Sequence, residues 1–230
     1  VPCMRSEEEI EEVSDELPDY MEEVVLNIGG YRSASEKGLG SREDLKEMVQ
    51  QYNAEIRHVD KQIGMIVEFL KEEGLYEETN IVITSDHGEE HGEKGVFREH
   101  WSSYNGTQRI PLILKTSQNE GKRISQKVSN IDLAPTVADL HGLEEPGKWQ
   151  GRSLLKRVEG EDWEKVLLTM HGLYTVQRAV IGDRYKYVRT LHTGIRSQLP
   201  EKQLFDLEKD PHEQENIINE NEDLAEDFSR

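Results

Sequence analysis

Two residues in this 230-residue chain stand where their chemistry can combine. Asp86 and His87 follow Asn80-Ile81-Val82-Ile83-Thr84-Ser85 and precede Gly88-Glu89. Ile81-Val82-Ile83 is a short β-branched run of the kind that fills a strand buried on both faces. It stops at Ser85, which leaves a carboxylate and an imidazole side by side at the strand's carboxyl end. That edge is where open α/β sheets bind ligands. Neighbours on a strand point to opposite faces, but Gly88 permits a turn, and both side chains can then reach one cation. A carboxylate oxygen and a neutral imidazole nitrogen are ordinary ligands of a divalent metal. The same residues also suit a plain turn, with the Asp side chain hydrogen-bonded to its own backbone. His91, Lys94, Arg98 and His100 lie within thirteen residues of His87, and a second apolar run opens at Ile110.

The elements that must position these groups are legible on either side. Ser41-Arg42-Glu43-Asp44 opens a helix, with Ser41 as N-cap and acids in the first turn. Leu45, Met48, Val49, Tyr52, Ile56, Val59, Ile63, Ile66, Val67 and Leu70 recur at three and four, and Gly74 ends the run. A helix of this length packed on a sheet and followed by a strand is an α-to-β unit. His58 on that helix has a solvated or capping role. Val128 to Gly142 reads as another helix, with Pro135 suited to its first turn and His141 meeting the C-terminal dipole. From about Glu159 the pattern changes to strands over 166–170, 174–181, 184–190 and 203–207, with Gly182-Asp183 as a two-residue hairpin turn. Lys209-Asp210-Pro211 then leads to a polar C-terminal helix. His171, His192 and His212 read as surface residues, the first two near enough to rim a cleft.

The totals exclude several classes. With 47 acidic and 28 basic residues the formal charge is −19, so a nucleic-acid backbone would be repelled. No apolar run is long enough to span a membrane. The single cysteine, Cys3, forms no internal disulfide. Residues 1 to 40 are acidic and irregular. The sequence shows neither a signal peptide nor an initiator Met, so the expectation is a piece of a longer, soluble protein, with the cytoplasm the favoured compartment. Oligomeric state is open.

Thr84-Ser85-Asp86-His87-Gly88-Glu89, Gly92-Glu93-Lys94-Gly95, His100 four residues before Tyr104, and Arg109-Ile110-Pro111-Leu112-Ile113 together resemble the second metal-binding segment of the sulfatases. These belong to the alkaline phosphatase superfamily, with the phosphonate monoester hydrolases as relatives. Lys94 stands where that family usually has His. Asp132-Leu133-Ala134-Pro135-Thr136, Gly151-Arg152-Ser153-Leu154-Leu155 and the Leu204-Phe205-Asp206-Leu207 ending extend the likeness over about residues 41 to 220. The resemblance implies an α/β fold, an alkaline-phosphatase-like sheet sandwiched by helices, with a small C-terminal antiparallel β subdomain plus helix. It divides the chain at residues 1–156, the C-terminal part of the catalytic domain, and 157–230, the subdomain. It implies that Asp86 and His87 are metal ligands, most simply of Ca²⁺, with Mn²⁺ or Zn²⁺ as alternatives. His100 takes the place of the basic residue that contacts the transferred group, usually Lys, and His in the phosphonate hydrolases. The implied reaction is hydrolysis of a small-molecule or carbohydrate sulfate ester by a formylglycine nucleophile made from Cys or Ser. Cys3 does not fit the nucleophile motif, because Met4-Arg5-Ser6 puts no Pro or Arg in the required places. The nucleophile is therefore expected in an N-terminal half outside this sequence, and the segment alone is expected to be inactive. Two alternatives accompany this: a phosphonate or phosphate mono- or diester hydrolase of the same superfamily, and a non-catalytic acidic module derived from such an enzyme.

Overall fold

The computed structural model describes residues 41–92, 94, 97–117, 121–144, 146–158, 166–194 and 199–229. Cys3 and the acidic N-terminal run lie outside them. The chain forms two compact units, Val1–Asn119 with Ile195–Gln198, and Glu120–Gly194 with Leu199–Arg230.

In the first unit, helix α1 (Arg42–Glu72) starts at a capping box. The Ser41 hydroxyl accepts the Asp44 N–H (3.2 Å), and the Asp44 carboxylate accepts the Ser41 N–H (2.7 Å). The helix ends as the glycine signal predicts, with Gly74 at φ +70° donating to the Lys71 carbonyl. Only Leu45, Met48 and Ala54 are buried, and Ile56, Val59 and Ile66 on the same apolar stripe are more than half exposed. Strand β1 (Ile81–Thr84) is also barer than expected. It alternates half-buried Ile81 and Ile83 with exposed Val82 and Thr84, rather than burying both faces. The reason is its pairing: β1 lies antiparallel to β4 (Leu112–Lys115), Ile81 opposite Lys115 and Thr84 opposite Leu112, as a two-stranded ladder. Lys115 fixes the approach to β1. Its ammonium donates to the carbonyls of Tyr76, Glu77 and Thr79 and lies 4.4 Å above the Tyr76 ring. Between these strands, β2 (Glu90–His91) pairs with β3 (Phe97–Glu99), and the short helix α2 (Asn105–Gln108) follows.

In the second unit, a 3₁₀ turn (Asn130–Asp132) precedes α3 (Leu133–Leu140), so the helix starts later than the expected Val128. The turn is imposed by Asp132, whose carboxylate accepts the N–H groups of Ser129 (2.8 Å) and Arg152 (2.9 Å). Thr136 Oγ1 likewise accepts the Leu154 N–H (2.8 Å), which ties α3 to the start of α4 (Leu154–Val158). Gly151 is required here, since a Cβ would lie 2.1 Å from the Ile131 carbonyl oxygen.

Strands β5 (Leu167–His171), β6 (Val176–Ile181), β7 (Tyr185–His192) and β8 (Lys202–Asp206) form an antiparallel sheet in that order. Gly182 N–H donates to the Tyr185 carbonyl (2.8 Å), so Asp183 and Arg184 occupy the hairpin turn, one residue beyond the expected pair. Helix α5 (Glu222–Ser229) closes a small core in which Leu224 and Phe228 pack on Tyr187, Leu204 and Ala225. Two ion pairs stitch the sheet. Arg184 grips the Asp206 carboxylate through two nitrogens (2.9 and 2.5 Å), and fully buried Lys186 meets Glu213 at 2.6 Å. Among the described residues no helix is long and apolar enough to cross a membrane.

Candidate functional site

The loop after β1 gives Asp86 the expected turn contact and sets it beside the His87 ring. Its Oδ1 accepts the His87 N–H (3.0 Å), a local turn contact. Its Oδ2 faces the His87 ring, 3.7 Å from Nε2. The Ser85 hydroxyl donates to the His87 carbonyl (2.5 Å), which closes the turn. His87 Nδ1 lies 2.8 Å from the Gly88 carbonyl oxygen, and a carbonyl can only accept, so the proton belongs on Nδ1. In the neutral ring Nε2 then carries a lone pair toward Asp86.

Gly88 lets a second segment close over this loop. Its N–H donates to the Thr107 carbonyl (2.7 Å), and a Cβ at residue 88 would fall 2.0 Å from the Gly106 oxygen. Below the contact, the wholly buried Glu90 accepts from Ser102 Oγ at 2.5 Å. Ser102 Oγ also lies 3.2 Å from Thr107 Oγ1 and accepts the Tyr104 N–H (3.1 Å). This polar brace carries His100 onto His87: the rings stack with centroids 3.7 Å apart and planes 21° apart. Glu89 Oε2 stands 3.9 Å from His100 Nδ1, an ion pair when that ring is protonated.

Asp86, His87 and His100 therefore come together in one unit. Glu89 and the Glu90–Ser102 brace were not anticipated; the only sequence signal for Glu89 is its place in the Asp-His-Gly-Glu string. Other members of the His-rich patch go elsewhere. His91 is buried with its ring edge against Tyr52, centroids 4.3 Å apart, and Arg98 donates to Gln51 (3.3 Å). The Lys94 ammonium lies 5.7 Å over the Tyr104 ring. Burial and, after it, the Glu89 charge push the Tyr52 hydroxyl above its usual range. His58, His192 and His212 are exposed, and His141 is the C-cap of α3.

The donor set fits part of a divalent-metal site. Two atoms each about 2.4 Å from one ion at roughly a right angle are separated by about 3.4 Å, close to the Asp86–His87 spacing. The Asp86 side chain is 88% exposed, so a cation meets little desolvation cost in reaching it. Among the described residues no group of three or more His, Cys, Asp or Glu side chains is arranged to hold a metal ion, so a cation at Asp86 and His87 would need further ligands.

A model of the sulfatase family matches residues 7–143, more than half of the chain. The chain belongs to the sulfatase family. A second family model, described as the C-terminal part of N-sulphoglucosamine sulphohydrolase, matches residues 92–227. The N-acetylglucosamine-6-O-sulfatase of Bacteroides thetaiotaomicron is 31% identical over 183 residues, which cover 75% of this chain and 32% of that protein. The choline-sulfatase of Rhizobium meliloti is 32% identical, over 77% of this chain and 34% of its own length. Among solved structures, the phosphonate monoester hydrolase of Silicibacter pomeroyi superposes with a TM-score of 0.70 at 26% identity, covering 83% of this chain and 40% of that one. The chain spans about a third of the length of the curated relatives it matches. These likenesses fix the fold class as α/β of the alkaline-phosphatase-like kind, with the antiparallel sheet and helix of the second unit as its C-terminal part. Sulfatases work with a divalent cation.

Proposed function

We propose that this chain is the C-terminal portion of a sulfuric-ester hydrolase, with residues 1–156 completing its catalytic α/β domain and 157–230 forming its small subdomain. Asp86 and His87 hold one side of a divalent cation, most simply Ca²⁺, and His100 is the catalytic residue that protonates the departing alcohol. When bound, the cation polarises the ester oxygens and neutralises charge on the transferred group. The observation that carries this reading is the placing of the His87 ring, with Nδ1 2.8 Å from the Gly88 carbonyl oxygen and Nε2 3.7 Å from the Asp86 carboxylate. His100 is stacked on it, ring centroids 3.7 Å apart. Glu89 sets His100 with its Nδ1 toward a carboxylate, which favours the orientation needed to present Nε2 outward. The formylglycine nucleophile belongs to an N-terminal half of the longer protein. A carbohydrate sulfate ester is the substrate class suggested by the N-acetylglucosamine-6-O-sulfatase likeness.

His100 at the position where most sulfatases carry Lys, together with the phosphonate monoester hydrolase likeness, favours one second substrate class, a phosphonate or phosphate ester. The test is the longer protein containing this chain, assayed on sulfate and phosphonate esters of one phenol. Asp86→Ala lowers kcat on the sulfate ester by at least about 100-fold; unchanged turnover contradicts the assignment. Faster turnover of the phosphonate ester transfers the reading to the second class. No turnover of either ester by the unsubstituted protein leaves the non-catalytic module as the correct description.

A further inference from the structure

Helix α5 covers only half of one face of the four-stranded sheet. Its apolar side chains, Leu224, Ala225 and Phe228, pack with Tyr187 of β7 and Leu204 of β8, while Glu222, Asp223, Glu226 and Asp227 stay exposed. It is an acidic amphipathic helix. Register carries the same face across to β6 and β5. Leu204 lies opposite Tyr187, Tyr187 opposite Val180, and Val180 opposite Leu168. In the next row Lys202, Arg189, Arg178 and Met170 follow one another. A helix is about 10 Å across and neighbouring strands are about 4.8 Å apart, so one helix covers two strands and four strands leave room for a second.

The β5–β6 half of this face is bare among the described residues. Leu168 and Met170 on the edge strand are 78% and 65% exposed, and with Val180 and Phe228 they line a groove of about 510 Å³. Arg178 and Arg189 lie in that groove, both exposed, and neither forms an ion pair among the described residues. Like charges directly opposite each other destabilise a sheet, and acidic groups brought beside them relieve the repulsion. The third cation of the row shows how the fold meets this on its other half: Lys202 lines a cavity together with Glu222 and Glu226 of α5.

We propose that the β5–β6 half of the face docks an amphipathic helix of a partner protein. Its apolar stripe rests on Leu168, Met170 and Val180 beside Phe228, and its acidic flank meets Arg178 and Arg189. This is the chemistry of α5, which the other half of the same face already holds. The spacing also agrees. Leu168 and Met170, two apart on a strand, stand about 6.6 Å from each other, close to the rise of about 6 Å between i and i+4 of a helix. An anionic membrane would meet the same arginines, but a chain of net charge −19 is repelled from it, and a second copy of this chain meets the same repulsion. The groove uses none of Asp86, His87 and His100, so helix docking is independent of the ester-hydrolase reading.

The test is fluorescence anisotropy of labelled helical peptides of about 16 residues, titrated with the 230-residue chain and with the longer protein containing it. One peptide has a leucine stripe flanked by glutamates, a second has lysines in place of the glutamates, and a third has the first one's composition in scrambled order. The glutamate peptide is expected to bind both proteins at least about tenfold more tightly than the other two, and to weaken between about 50 and about 300 mM salt. R178E/R189E should reverse the choice, losing the glutamate peptide and gaining the lysine one, which a misfolded sheet could not do. Leu168→Ser/Met170→Ser should weaken both. Equal binding of the three peptides, or an unchanged preference in R178E/R189E, overturns the proposal. So does a dimer of the free chain that R178E/R189E dissolves, which makes a second copy the occupant. Binding to the 230-residue chain but not to the longer protein also overturns it, because a segment of that protein then fills the groove. Tighter binding to anionic phospholipid vesicles than to the glutamate peptide overturns it in favour of a membrane contact.

Discussion

At Gly88 the absence of a side chain is what lets the loop after β1 and the 100–107 segment touch backbone to backbone. Because a Cβ there would meet the Gly106 oxygen at 2.0 Å, Gly88→Ala must push the two segments apart. Overpacking of that kind costs about 1–3 kcal/mol, and urea unfolding should show it as a lower midpoint with an unchanged slope. Asp86 is the opposite case: its side chain is 88% exposed, so removing it should move stability by no more than about 0.5 kcal/mol. The two behaviours separate a residue that builds the loop from one that the loop presents. The Asp-His-Gly string was legible because both the strand and the turn are local signals. The His87–His100 stack was not, because it depends on a fold-back whose brace, Glu90 to Ser102, joins residues twelve apart.

Among the elements, β7 carries the heaviest electrostatic commitment. Lys186 is fully buried, and its partner Glu213 sits at φ +58° in the turn after β8. Breaking such a pair from one side leaves a buried charge, so Glu213→Gln or Lys186→Met should each cost about 3–5 kcal/mol in chemical denaturation. The double change Lys186→Met/Glu213→Leu should recover much of that loss. The neighbouring Arg184–Asp206 contact acts through pH. The hydrogen bond from Arg184, chiefly, holds the Asp206 carboxyl below its ordinary value. Its stabilisation is therefore present above the unfolded carboxylate range and is lost as pH falls through the lower folded value. The difference in melting temperature between the native chain and Asp206→Asn should accordingly be present at neutral pH and shrink as the pH falls below the ordinary carboxylate range. The strands were visible in the apolar alternation, whereas the turn residues were misplaced by one. Gly182-Asp183 is the stronger dipeptide signal, yet the Gly182–Tyr185 hydrogen bond sets the register. The Lys186–Glu213 pair left no trace in the sequence pattern, since it joins residues with a whole strand between them.

For the molecule as a whole, the sulfatase signature is distributed across both units, and each unit uses its share differently. The first brings Asp86, His87 and His100 together, in a unit whose helix and strand leave apolar residues unusually exposed: Ile66 at 61% and Ile113 at 57%. Periodicity identified those residues as a stripe but could not say how much of it would be covered, because cover comes from elements remote in sequence. The second unit is better closed, with Leu204 and Phe205 wholly buried. The central claim remains that Asp86 and His87 jointly receive one divalent ion with His100 alongside. The most direct measurement is a Mn²⁺ titration of the ¹³C-labelled chain, following histidine ring resonances by NMR. Signals of His87 and His100 should broaden well before those of the exposed His58 and His212, and Asp86→Asn should abolish that order. Uniform broadening, or the same order in Asp86→Asn, would contradict it.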